Sequence, residues 1–210
     1  MTDTILFEQQ QGIARLSFNR PDRHNALGRE ELDAISRCLS CLEPNTRVLM
    51  ITSEGGRTFC AGADLSQISS GELQGDQFQA VTNQIAELEV PTLCVINGNV
   101  FGGGVELSVA CDFRVAADDI VMRVPAAAIG LCYPIDGIQR LVARLGSTTV
   151  KRLLVGAEEF TSPAMEVLGI VSATYPPSTL MENANLLAQK LSELAPLAVT
   201  SMLSIIDQAE

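Results

Sequence analysis

The sequence has no tryptophan, a single histidine, and aromatic side chains at only 4% of its 210 positions, so any core built from it must be mostly aliphatic. Cationic residues are scarce: 14 lysines and arginines stand against 25 aspartates and glutamates, a net charge of −11. That mean field repels nucleic acid and anionic membrane surfaces, which excludes general electrostatic binding to either and leaves only a local basic patch for phosphates. No run approaches the roughly 18 apolar residues that a membrane span needs, and residues 1–5 lack the basic and apolar regions of a secretory leader. The expectation is a cytoplasmic protein with neither nucleic-acid nor membrane partners. Low-complexity segments are also missing.

Apolar residues make up 47% of the chain and charged ones 19%. With this length, that profile suits one compact domain, or one domain with an appendage. Six cysteines are scattered at positions 38, 41, 60, 94, 111 and 132, mostly inside apolar segments, where thiols commonly act as small buried hydrophobes. Cys38 and Cys41 form a C-x-x-C, but it lies in a helical pattern without a second pair, and His24 is the only histidine. A redox or metal role is the weaker reading.

Hydrophobic spacing outlines the elements. Ala14, Leu16 and Phe18 alternate as in a half-buried strand, and residues 48–52, 92–96 and 113–116 are short apolar runs suited to buried strands. Leu32, Ile35, Leu39 and Leu42 share one helical face, and Val81, Ile85 and Leu88 another that Pro91 stops. Residues 105–111 read as a helix after Gly102-Gly103-Gly104. Ala184, Leu187, Ala188, Leu191 and Leu194 draw a later stripe, with residues 197–208 helical beyond Pro196. Strands alternating with helices indicate an α/β fold, and spacing alone leaves open a doubly wound sheet or a spiral of β-β-α turns.

Two glycine-marked corners follow buried strands, residues 60–65 (CAGADL) and the segment from Gly102 to Leu107. Glycine permits a sharp turn and close ligand approach to the backbone, and a helix starting at the second corner adds partial positive charge. Two amides converging on one oxygen would form an oxyanion hole suited to a thioester enolate. Phosphate binding is the weaker reading, because neither G-x-G-x-x-G nor G-x-x-x-x-G-K-[ST] occurs and no lysine accompanies either corner.

Residues 60–65 and 97–112 (NGNVFGGGVELSVACD) resemble the two signature segments of the crotonase, or enoyl-CoA hydratase/isomerase, superfamily. Residues 19–27 (NRPDRHNAL) resemble its first CoA-contacting loop and residues 139–146 its later helix, so the resemblance spans nearly the whole chain. It implies a crotonase-like spiral of β-β-α turns over residues 1–180, with residues 181–210 a C-terminal helical segment shortened relative to the family. It also implies an acyl-CoA substrate with no metal or organic cofactor, and assembly as a homotrimer or dimer of trimers. The inherited oxyanion hole uses the amides of Ala63 and Gly103. Arg23, Ala26, Ala61, Asp64 and Leu65 line the CoA path, and Glu106 matches a catalytic glutamate. The weaker reading of Glu106 is a first-turn acid that only stabilises its helix, by about 0.3 to 1 kcal/mol.

The match breaks at residues 124–130 (VPAAAIG), where Ala126 occupies the place of the second glutamate of family hydratases. Asp136, in residues 131–137 (LCYPIDG), lies near positions where family isomerases carry functional acids, and is otherwise a plain turn residue. Tyr133 in the same loop is a further pocket acid or an ordinary packed phenol. The resemblance therefore implies isomerase or lyase chemistry with Glu106 as acid-base and Asp136 as a displaced partner. The other reading is a catalytically weak acyl-CoA-binding accessory subunit.

Overall fold

The computed structural model describes residues 4–208, so the first three residues of the opening segment and the last two of the C-terminal segment lie outside it. The chain opens with β1 (Ile5–Gln10) and β2 (Ile13–Phe18), followed by α1 (Arg29–Ser40), β3 (Val48–Ser53), β4 (Thr58–Cys60), α2 (Leu65–Ser70) and α3 (Gly75–Ala86). Next come β5 (Thr92–Ile96), β6 (Asn99–Phe101), α4 (Gly103–Ala110), β7 (Phe113–Ala117), β8 (Val121–Arg123) and α5 (Ile135–Leu145). The described chain closes with α6 (Ser147–Val150), β9 (Phe160–Thr161), α7 (Ser162–Val167), β10 (Ala173–Tyr175), α8 (Pro177–Ser192) and α9 (Pro196–Asp207).

These strands form two sheets. The larger runs β1-β2-β3-β5-β7-β10 and the smaller β4-β6-β8-β9. Successive turns of the chain each place one strand in the large sheet, the next in the small sheet, and then a helix: β3-β4 with α2 and α3, β5-β6 with α4, β7-β8 with α5. That is a spiral of β-β-α turns, which decides between the two architectures left open by spacing. Every residue of β3 and β5 is buried, as suits central strands of a parallel sheet. Strand β1 alternates between half-buried and exposed because it lies at the edge, paired antiparallel to β2 through Gln11 and Gly12. Both of those turn residues have positive φ, +53° and +79°, the geometry of a tight hairpin.

Helix α4 has no polar face. Gly104 through Ala110 are all buried, so the helix is enclosed by its neighbours. Helix α8 packs on the large sheet through Leu180, Ala184, Ala188 and Leu191. The expected division after residue 180 thus falls inside a helix that belongs to the core. In contrast, α9 buries none of its residues, and Leu197, Met202, Ile205 and Ile206 are exposed. Among the described residues no helix is long and apolar enough to cross a membrane.

The cysteines divide evenly. Cys60, Cys94 and Cys111 are buried, whereas Cys38 is half-buried and Cys41 and Cys132 are exposed. Burial pushes the Cys60 thiol up to about 12 and raises Cys94 as well. Iodoacetamide at neutral pH is therefore expected to label Cys41 and Cys132 on the folded protein and to spare Cys60, Cys94 and Cys111 until denaturant is added. Peptide mass mapping reads this directly, and early labelling of Cys60 would show that the core around β4 is open.

Candidate active site

Strands β4 and β6 are parallel neighbours, with Thr58 opposite Asn99 and Cys60 opposite Val100. The chain leaving each strand therefore arrives side by side, which brings the two glycine corners together. The contact is backbone on backbone: a Cβ at Gly62 would lie 2.5 Å from the Gly103 nitrogen, and one at Gly104 would lie 2.5 Å from the Cys60 carbonyl oxygen. Only glycine fits at either position.

The amides at these corners are aimed by their neighbours. Leu27 N–H donates to the Gly62 carbonyl at 2.8 Å, and Asp64 N–H donates to the Leu27 carbonyl at 2.9 Å. In extended chain successive N–H groups point to opposite sides, so the Ala63 N–H faces away from the Leu27 loop. Gly103 is the first residue of α4, and its N–H is one of the orphan donors of a helix start. Neither amide has an acceptor among the described residues.

One turn further along α4, Glu106 is 2% exposed. Its Oε1 accepts from Gln79 Nε2 at 2.9 Å, Thr82 Oγ1 at 3.1 Å and Arg140 Nη1 at 3.3 Å. Gln79 and Thr82 share one face of α3 with Asn83, a spacing of three and four residues, and Asn83 Oδ1 in turn accepts from Arg140 Nη2. Oε2 faces Gly137, where a Cβ would stand 2.7 Å away. Three helices thus converge on one carboxylate. Burial holds the Arg140 guanidinium below its ordinary value, with the Glu106 charge opposing. Tyr133 is pushed well up, first by burial and then by the charge and hydrogen bond of Glu106.

A cavity of about 360 Å³ opens beside Tyr133, lined by Ala126, Leu131, Ile138, Val142 and Leu154 among others. Larger clefts lie elsewhere, one around Gly12, Arg47 and Pro91 by the N-terminal ends of β2, β3 and β5, and one around Glu8, Arg15 and Glu193 between β1, β2 and α8. The glycine corners sit at the carboxyl ends, where sheets of this kind take ligands, and the smaller cavity is the one next to them, through Tyr133 and the Gly102 carbonyl.

The remaining expected site residues fall into three groups. Ala126 reaches the cavity with only a methyl group. Asp136 is exposed in the first turn of α5, and its charge acts on Arg140. The segment around it is therefore a helix start, not an isolated turn. Arg23 is exposed, Ala26, Ala61 and Ala63 are half-buried, and Leu65 is 55% exposed, so these line an accessible strip beside the corner. The Asp64 side chain is already engaged. It accepts from Ser66 N–H at 3.1 Å as the N-cap of α2 and pairs with Arg20 at 3.5 Å, and the hydroxyl of Ser66 holds its carboxyl below the usual range.

Sequence reasoning missed Gln79, Thr82 and Arg140, the side chains that hold Glu106. The available signal was a pair of polar residues on the apolar face of α3, where Gln79 and Thr82 are as buried as Val81 and Ile85. It also missed Asn25, which is fully buried at φ +53°. Its amide donates to the Glu54 and Thr58 carbonyls and its Oδ1 accepts from Arg20 N–H, fixing the loop that carries Arg23 and Ala26.

Residues 8–209 match the family model described as enoyl-CoA hydratase/isomerase. The chain is 29% identical over 204 residues to the short-chain-enoyl-CoA hydratase of Clostridium acetobutylicum, covering 94% of this chain and 78% of that protein. It is 34% identical over 200 residues to the mitochondrial enoyl-CoA hydratase domain-containing protein 2 of Homo sapiens, covering 90% and 68%. Among solved structures, the enoyl-CoA hydratase of Bacillus anthracis superimposes with a TM-score of 0.90 at 28% identity, covering 97% of this chain and 82% of that one. With a match that spans almost the entire chain and a spiral fold shared with its relatives, this protein belongs to the enoyl-CoA hydratase/isomerase family of the crotonase superfamily.

Proposed function

We propose that the protein moves a proton on an acyl-CoA thioester through an enolate, with Glu106 as its single acid-base. The observation that carries this reading is Glu106 itself: a buried carboxylate, held by donors from two helices, one turn behind the Gly103 amide. A thioester oxygen received by the Ala63 and Gly103 N–H groups gains negative charge as the enolate forms, and each such donor contributes about 3 to 4 kcal/mol to that state. The Glu106 carboxylate takes a proton from the carbon beside the carbonyl, and the electron pair passes to the oxygen. Returning the proton to a different carbon shifts a double bond, a reaction that one carboxylate completes.

Hydration asks for a second proton donor, and Ala126 supplies none. Asp136 faces solvent on α5, so a role for it would require that helix start to turn inward over bound substrate. The CoA moiety would lie along Arg23, Ala26, Ala61 and Leu65, with Arg23 offering its exposed guanidinium to phosphate and Asp64 bracing the corner through Arg20. The exposed apolar side chains of α9 support assembly into a homotrimer or dimer of trimers. Coenzyme A enters as part of the substrate, and the reaction as written draws on no metal or organic cofactor.

A second reading, an accessory subunit that binds acyl-CoA without turnover, draws support from Ala126 and from the three donors that occupy Glu106 Oε1. Glu106→Gln separates the two. Turnover of a panel of enoyl-CoA esters is expected to fall by about 10²- to 10⁴-fold while thermal stabilisation by the same esters persists. A product of unchanged mass with a moved double bond marks isomerisation, and the mass of one added water marks hydration. Wild-type stabilisation without any product would favour the accessory subunit. Arg140→Met is expected to cost about 3 kcal/mol in denaturant unfolding, because it leaves a buried carboxylate unpaired. Adding Glu106→Gln to that variant should restore much of the loss; an unchanged deficit in the double variant would show that the ion pair is not its cause.

A further inference from the structure

The 360 Å³ cavity begins one side chain away from the oxyanion corner. Tyr133 lines it, and the Tyr133 hydroxyl donates to the Gly102 carbonyl at 3.3 Å. That carbonyl shares a peptide plane with the Gly103 N–H, so the mouth of the cavity lies beside the peptide that receives a thioester oxygen in the reading above. From there the space runs between α5, which contributes Ile138 and Val142 from successive turns, and the π-helical turn Lys151–Val155, which contributes Leu154 and Val155.

The walls are mostly hydrocarbon. Lys151 is the one charged side chain among the described residues that line the cavity; it is exposed, so its stem lies along the wall while its ammonium reaches water. Leu131 is 46%, Val142 37% and Val155 77% exposed, which leaves apolar surface here without protein to cover it. A hydrocarbon chain laid in the cavity takes that surface out of water. A carboxylate brought between Ile138, Val142 and Leu154 would lose hydration without gaining a partner. Ala126 presents only a methyl group at the wall, so a chain passes it without meeting a polar side chain.

Helix geometry sets the length. From the start of α5 at Ile135 to Val142 the helix rises about 10 Å. An extended chain advances about 1.3 Å per bond, since three backbone bonds span about 3.8 Å. A stretch of about eight carbons therefore fills that distance. We infer that this cavity seats the acyl tail and selects a straight, uncharged acyl group of about six to eight carbons, with Val142 limiting its length; this rests on the acyl-CoA reading proposed above. Shorter acyl groups leave the walls wet, and acyl groups that end in a carboxylate place charge among them.

The test is calorimetric titration of the whole chain with butyryl-, hexanoyl-, octanoyl-, dodecanoyl- and adipoyl-CoA, for wild type, Val142→Trp and Val155→Asp. These saturated esters have no double bond to move, so affinity is read apart from turnover. Kd is expected to fall about fourfold for each methylene added from butyryl to octanoyl and to level off by dodecanoyl. Adipoyl-CoA should bind more weakly than hexanoyl-CoA, which has the same number of acyl carbons. Val142→Trp should weaken octanoyl-CoA by about tenfold or more and leave butyryl-CoA within about twofold. Val155→Asp, at a more exposed position, should act in the same direction, and it keeps the test decisive if the tryptophan variant does not fold. Equal Kd values from butyryl to octanoyl, tighter binding of adipoyl-CoA than of hexanoyl-CoA, or a chain-length gain that the variants leave intact would each overturn the proposal while acyl-CoA binding stands. A wild type that binds none of the esters would instead remove the acyl-CoA reading beneath it.

Discussion

The contact between Gly62 and the Gly103 backbone is the constraint on which the remaining geometry depends. Two chain segments that leave adjacent parallel strands can meet this closely only if neither carries a Cβ at the crossing. Because they do meet, α4 must begin at that corner, and its first orphan amide lies beside the amide of Ala63. Glu106 then follows by helical rise alone, one turn deeper into the protein. The spiral of short and long strands serves this end: β4 and β6 are only three residues each, yet their pairing sets the corners side by side.

Burying a carboxylate at that depth imposes the second constraint. An uncompensated charge in the interior costs several kcal/mol, so the elements around α4 must supply donors. Helix α3 does so through Gln79 and Thr82, and α5 through Arg140. The requirement explains why a three-helix contact carries so many polar groups in a chain whose core is otherwise aliphatic. It also ties the placement of this carboxylate to folding stability, since the side chains that hold Glu106 in place are the ones that offset its burial. Gly137 belongs to the same arrangement, because any side chain there would displace the carboxylate.

The loop from Pro125 to α5 borders the cavity next to the glycine corners. Ala126 lines it with a methyl group, Asp136 is exposed, and the Tyr133 hydroxyl donates to the Gly102 carbonyl at 3.3 Å. On the reading proposed above, a single carboxylate suits reactions in which the proton taken is the proton returned.

The elements with a local hydrophobic pattern were legible in the sequence: β2 and α1 lie where alternation and helical recurrence place them, and β3 and β5 where short continuous apolar runs do. The glycine corners and Glu106 were legible too, because a turn that excludes side chains leaves a mark in residue type. The three-residue strands β4, β6 and β8 were not, being too short to show a period, and α5 starts in a Pro-Ile-Asp-Gly stretch that reads equally well as a turn. By itself the sequence determined an aliphatic α/β core, a family, two backbone corners and one acid behind them. Tertiary structure alone decided which polar side chains surround that acid, since Gln79, Thr82, Tyr133 and Arg140 are brought to Glu106 from across the chain. Their convergence depends on how the helices pack, and no local pattern of residues encodes it.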